Sequence, residues 1–250
     1  MRILATLIPP DSGQICYEDI DWKRNPIKAR MLLGYLPQDF GCFRNITCFE
    51  CLDYIGELKG ISNRKMRITQ IHDLLEQVNL SEHAKKKIKH LSGGMRRRLG
   101  IAQAMIGNPK IVMVDEPTAG LDPEERIRFR GLIRTLSQNK IVLISTHIVE
   151  DITATCDGVA VLNLGRLKSF NSISELAQYG KNKVWKCIVD ISQYPTIEAK
   201  HRVISSNSLI DKIELRLFCD TKPDIDGTVS VEPGIEEGYL AWIGSQKEFS

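Results

Sequence analysis

The stretch LSGGMRRRLGIAQAMIGNPKIVMVDEPTAGL, Leu91 to Leu121, decides the fold of this chain. At its centre Ile111 to Val114 reads IVMV, an apolar, mostly β-branched run preceded by Asn108-Pro109. Such a run predicts a short, fully buried strand of a parallel sheet. Its carboxyl end delivers Asp115 and Glu116. Open α/β sheets bind ligands at the carboxyl ends of their strands, so two adjacent acids there lie where a Mg²⁺-nucleotide would sit. An isolated Asp-Glu pair would read as a solvated acidic turn, and the flanking motifs outweigh that reading.

Upstream, Ser92 is a natural N-cap, and Gly93 and Gly94 permit close backbone approach. Met95, Leu99, Ala102 and Ile106 then recur at helical spacing. A helix opened by Ser and Gly presents unpaired N–H groups and the positive end of its dipole, which suits a terminal phosphate. Downstream, AGLD at Ala119 to Asp122 precedes Pro123, a favourable first helical residue. The run IVLIS at Ile141 to Ser145 reads as a second buried strand and ends in Thr146-His147. His147 is expected on the same sheet edge as the acids, one crossover unit later.

Together these residues resemble the nucleotide-binding subunit of ATP-binding-cassette (ABC) transporters. LSGGM is similar to the family signature, IVMVDEP to the Walker B strand, AGLD to the D-loop and STH to the switch-histidine loop. LGYLPQD at Leu33 to Asp39 resembles the Q-loop. The resemblance runs from residue 1 to about 180. It implies an α/β, P-loop NTPase fold of the ABC type that uses ATP and Mg²⁺. Asp115 and Gln38 would serve the metal, and Glu116 would be the base for the attacking water, with His147 and Gln38 completing the catalytic group. Ser92, Gly93, Gly94 and Asp122 would meet nucleotide across a dimer.

One expected motif is absent from these residues. No G-x-x-x-x-G-K-[ST] is present, because Gly180-Lys181 has Glu175 where the first glycine would stand and is followed by Asn182. The opening MRILATLIPPDSGQI resembles the helix and turn that follow the Walker A loop in the family. The expectation is therefore an N-terminally truncated ABC domain, with Met1 an internal methionine of a longer reading frame in preference to a true truncation. In the family each ATP is held between the Walker motifs of one subunit and the signature of the other. A homodimer of this sequence would have two signatures and no phosphate loop, whereas a heterodimer with a complete paralogue would keep one composite site. The expected function is ATP hydrolysis powering export through separate membrane-spanning subunits. The alternatives are a catalytically reduced partner that lends only its signature, or a non-functional fragment. A translation or DNA-repair member of the superfamily is disfavoured, since neither a second cassette nor a long coiled coil is visible.

Composition agrees with this class. The 250 residues, 42% hydrophobic and 26% charged, suffice for one main core and a small appended unit. A net charge of +3 gives no argument for nucleic acid. Lys85 to Lys87 and Arg96 to Arg98 read as solvated faces without interleaved aromatics. No run approaches the ~20 apolar residues of a membrane-spanning helix. The expectation is a cytoplasmic subunit, peripheral on the inner face of the membrane. Seven scattered cysteines suit a reducing compartment. Cys48 and Cys51, with Cys42 nearby, read as packing residues on a helix, since no partner pair follows at zinc spacing.

Along the chain, residues 1–180 are expected to form the ATPase domain, starting with a helix remnant and strands near Gln14 to Tyr17 and Leu32 to Leu36. Residues 41–90 are expected to form its helical subdomain, with helices over Ile46 to Leu58 and Lys65 to Val78. Gln38 to Asn45 is the expected contact with the membrane subunit. The crossover helix is expected over Glu124 to Leu136, a further strand over Val159 to Leu162 and a turn at Asn163 to Arg166. Residues 181–250 predict a small α+β appendage with strands at Val184 to Ile191 and Lys212 to Asp220. It closes with a helix from about Gly234 that carries Ile235, Tyr239 and Trp242 nearly on one face. This end resembles the appendage of bacterial drug and antibiotic exporters, and the expectation for it is either dimer contact or regulation, or a cap over the main domain's sheet.

Overall fold

The computed structural model describes residues 1–39, 41 and 43–247. In chain order the elements of the first unit are β1 (Cys16–Tyr17), β2 (Ile20–Asp21), α1 (Pro26–Leu32), β3 (Leu33–Leu36), α2 (Cys48–Leu58), α3 (Arg64–Gln77), α4 (Gly93–Met105), β4 (Ile111–Asp115), α5 (Pro123–Leu136) and β5 (Ile141–Ser145). Helix α6 (Val149–Thr155) carries the chain across the division between two compact units, Met1–Asp151 and Ile152–Ser250.

The run IVMV forms β4, which pairs parallel with β3 on one side and β5 on the other. Alternation of side chains splits β4 between two cores. Val112 and Val114 join Leu52, Ile71, Leu75, Leu99, Ile106 and Phe129 in the core built with α2 to α5. Ile111 and Met113 face the opposite side with Trp22, Ala29 and Leu33. Burial on both faces is what makes the strand read as continuously apolar. By contrast β5 is half-covered: Val142 and Ile144 pack on the larger core, whereas Ile141 and Leu143 are 49% and 41% exposed. The expectation of a buried strand is corrected here, because among the described residues nothing is paired beyond β5 or laid over that face.

The helices follow their caps. Thr47 closes a capping box with Glu50 at the start of α2, Asn63 caps α3 through Met66 N–H, and Pro123 occupies the first position of α5 behind Asp122. Cys48 and Cys51 lie in the core on the first turn of α2, whereas Cys42 falls outside the described residues. At the amino terminus, Met1 to Leu7 make one helical turn. It ends where Thr6 takes φ +60° and the Leu7 N–H donates to the Arg2 carbonyl at 3.0 Å. The expected strand at Gln14 to Tyr17 shortens to a two-residue hairpin arm. Helix α1 was not expected, although Asn25-Pro26 supplies a start signal.

The second unit contains β6 (Val159–Asn163), β7 (Arg166–Phe170), α7 (Ile173–Ala177), β8 (Val184–Asp190), α8 (Tyr194–Lys200), β9 (Arg202–Ser208), β10 (Lys212–Phe218), β11 (Val229–Ser230) and α9 (Ile235–Lys247). The expected turn joins β6 and β7 with Leu164 and Gly165 at φ +47° and +77°, the pair of left-handed residues a tight type I′ turn needs. An antiparallel sheet in the order β11-β8-β10-β9 places Ile213, Leu215 and Leu217 on one face with Cys187, Val189 and Ile197. On α9, Ile235 and Trp242 are buried, and Trp242 meets Phe170 edge-on at 6.1 Å. Tyr239, on the same side of the helix by its i+4 spacing from Ile235, is 41% exposed.

Close approach of α4 to β3 is possible because residue 34 is glycine. A Cβ there would stand 2.0 Å from the Ala104 carbonyl oxygen and 3.1 Å from Pro109 Cγ. The obstacle is helix backbone, so Gly34→Ala is expected to lower stability by about 2–3 kcal/mol, read as a lower urea midpoint with unchanged slope.

Candidate functional site

Parallel pairing brings the carboxyl ends of β3, β4 and β5 to one edge of the sheet, with Leu36 opposite Val114 and Asp115 opposite Ser145. Gln38, Glu116 and His147 all follow at this edge, each one or two residues past its strand. Tyr35, Asp115 and Ser145 share a sheet face by alternation. The Ser145 hydroxyl donates to Asp115 Oδ1, and the Tyr35 hydroxyl donates to Oδ2 at 3.2 Å. Burial, reinforced by the Asp115 charge, pushes the Tyr35 phenol up, so it stays a donor across the neutral range.

Glu116 is the first residue beyond β4, and its N–H donates to the Ser145 carbonyl at 2.9 Å. It adopts φ +46°, a left-handed conformation that costs a non-glycine residue about 1–2 kcal/mol. His147 Nδ1 lies 3.0 Å from Glu116 Oε1, and the imidazole itself is 77% exposed. The second carboxylate oxygen, Glu116 Oε2, is buried with no hydrogen-bond partner. The structure thus brings His147 to Glu116, with Asp115 the residue before Glu116. Gln38 has an exposed side chain and is joined to the acids through its backbone, by way of Arg97.

Arg97 corrects the reading of Arg96 to Arg98 as a solvated face. It is only 9% exposed, and its guanidinium donates to the carbonyls of Gln38 at 2.6 Å, Pro117 at 2.8 Å, Asp115 at 3.2 Å and Glu116. Burial pulls its pKa below the ordinary arginine value, but the group remains a cation. Arg98 is partly buried as well, with Nη1 3.3 Å from the Val78 carbonyl, while Arg96 is exposed. The missed signal is helical spacing: Arg97, Gly100, Ile101 and Ala104 lie on one buried face of α4. Tyr35 and Ser145 were also missed, although alternation along paired strands puts both on the face of Asp115.

At the start of α4, Ser92 Oγ accepts from the Met95 N–H at 3.2 Å, as an N-cap should. Gly94 lies against the first turn of α5: a Cβ there would stand 2.6 Å from Glu125 Oε2. Asp122 Oδ1 in turn accepts from the Glu125 N–H at 2.8 Å. The caps of α4 and α5 are thereby neighbours, with Ser92 and Gly93 exposed beside them. Behind the acids, buried Asp151 accepts from the Thr118 hydroxyl and from Arg130 Nε at 2.6 Å, anchoring the loop that leads to Asp122.

The donor set is oxygen-rich: a serine hydroxyl and the carboxylates of Asp115 and Glu116, the latter with one oxygen unpartnered. That chemistry fits Mg²⁺, which prefers oxygen and takes one or two protein carboxylates together with substrate phosphates. Among the described residues no cluster of three or more His, Cys, Asp or Glu side chains forms an all-protein metal cage.

Comparison with known proteins agrees. Residues 1–119 match the family model described as ABC transporter. An uncharacterized ABC transporter ATP-binding protein of Bacillus subtilis, YxlF, is 37% identical over 185 residues, covering 74% of this chain and 61% of that protein. The ABC transporter ATP-binding protein NatA of the same species is 31% identical over 169 residues, 67% of this chain and 68% of NatA. The linearmycin resistance ATP-binding protein LnrL is 29% identical over 177 residues, 70% of this chain and 57% of LnrL. The chain thus spans less than two thirds of YxlF and of LnrL. It belongs to the ATP-binding proteins of ABC transporters, a family of ATP-hydrolysing enzymes. No helix among the described residues is long and apolar enough to cross a membrane.

A buried carboxylate oxygen without a partner costs stability. Glu116→Gln, which removes the charge and keeps the shape, is expected to raise the chain's unfolding free energy by on the order of 1 kcal/mol in urea denaturation.

Proposed function

We propose that this chain is the ATP-hydrolysing subunit of an ABC exporter, acting through separate membrane-spanning subunits as a cytoplasmic protein on the inner face of the membrane. The observation that carries the reading is Glu116, one of whose carboxylate oxygens meets His147 at 3.0 Å while the other is buried and unpartnered. Bound Mg²⁺ supplies charge neutralisation for the phosphoryl group being transferred. Asp115, its carboxylate oriented by Ser145 and Tyr35, would hold that ion. The Glu116 carboxylate accepts the proton of the attacking water, and His147 keeps it aimed. Gln38 closes the same edge and answers to the membrane subunit. Its expected docking stretch, residues 38–45, includes Phe40 and Cys42, which fall outside the described residues.

Ser92, Gly93, Gly94 and Asp122 are assigned to nucleotide held by a second nucleotide-binding subunit. The exposure of Ser92, Gly93 and Asp122 and the neighbouring caps of α4 and α5 support a surface that meets a partner's phosphates. Likeness to a linearmycin resistance protein supports export of antibiotic-like compounds, with selectivity residing in the membrane subunits. We assign residues 1–180 to the ATPase domain and 181–250 to its appendage.

In the native assembly with its membrane partner, Glu116→Gln is expected to reduce ATP turnover by about 10²-fold or more while ATP still drives subunit association. Loss of both together would remove the base assignment. Ser92→Arg is expected to stop turnover by blocking the partner's nucleotide, and an unchanged rate would exclude the composite site.

A further inference from the structure

Arg97 touches both the Gln38 backbone and the loop that carries the acids. Three of its acceptors are successive carbonyls, those of Asp115, Glu116 and Pro117, which turn toward a single cation. In an extended strand successive carbonyls point to opposite sides, so their turning to one cation needs a change of backbone conformation, which Glu116 supplies with its φ of +46°. The fourth acceptor, the Gln38 carbonyl, belongs to a segment that follows a different strand. A planar guanidinium has five N–H donors in a rigid fork, so its four contacts are made together or re-made together. The helix that supplies Arg97 also opens with Ser92, Gly93 and Gly94.

We infer that Arg97 is a positioning residue for hydrolysis, the clamp through which displacement of the Gln38 segment re-aims Glu116. This rests on the reading of Glu116 as the base. The clamp acts by geometry. With Gln38 docked, the guanidinium holds the three carbonyls and Glu116 faces His147. When the Gln38 segment moves away, the cation loses an acceptor and the acid loop loses its register. Every hydrogen bond that Arg97 is seen to make here goes to a main-chain oxygen, while its charge also lies within coulombic reach of both acids.

The test has two readouts. On the nucleotide-free full chain, hydrogen exchange is compared for wild type, Arg97→Met and Arg97→Lys. The expected result for Arg97→Met is faster exchange in both the Gln38–Asp39 amides and residues 116–121, with β4 amides as protected as in wild type. Change in one segment alone, or in neither, overturns the clamp. In the native assembly, Arg97→Met is expected to lower kcat by about 10²-fold with KM for ATP within threefold, and Arg97→Lys is expected to recover part of the rate. Turnover of Arg97→Met within twofold of wild type also overturns it, as does loss that appears only in KM. Should Arg97→Met fail to fold, Arg97→Gln is read by the same criteria. Wild-type turnover that survives Glu116→Gln would instead refute the proposed base, and the exchange measurement would still decide whether the two segments are linked.

Discussion

Parallel pairing of β4 with β3 and β5 is the constraint on which the site depends. A parallel strand must return to the same end of the sheet before it pairs, so each crossover helix delivers the next loop to one edge. That is why residues 38, 116 and 147, far apart in sequence, lie at a common boundary. Register then fixes detail at the level of single atoms. Asp115 stands opposite Ser145, and the shared face brings Tyr35 to its other oxygen. A slip of one residue would turn these side chains to the opposite face and put Val114 outside the larger core.

The edge so formed is costly. It holds two adjacent acids, a left-handed glutamate and a carboxylate oxygen without a partner. Burial of the apolar residues on both faces of β4 offsets this, because a fully buried Met113 or Val114 contributes about 1.5–3 kcal/mol. The polar side of the balance is met by main-chain oxygens. Arg97 satisfies carbonyls that a strand end would otherwise leave bare, and Asp151 satisfies Thr118 in the loop behind and Arg130 on α5. Such charged anchors fix backbone direction. Apolar packing alone would hold the same loop with less definition.

Much of the site was legible because its chemistry is local. Ser92 caps α4 and Asp122 caps α5 from within three residues, and Asp115 and Glu116 follow directly on a strand whose apolar character marks its end. The helices of residues 48–77 were equally readable from capping residues and three-and-four spacing. Less legible were the short elements. Helix α1, strand β11 and the two-residue β1 and β2 lack the length to show a period, and their existence depends on what they pair with.

Sequence by itself determined the order of the motifs, the strand that carries the acids, the helix caps and the turn at Asn163 to Arg166, since each is decided by neighbours within a few residues. Tertiary structure alone decided that Arg97 is buried, that β5 keeps one open face and that Tyr35 and Ser145 hold Asp115. The physical reason is that burial and hydrogen bonding are properties of what lies across a sheet or against a helix. A run of three arginines looks alike on any face until the fold turns one of them inward, toward four carbonyl oxygens that no stretch of sequence places side by side.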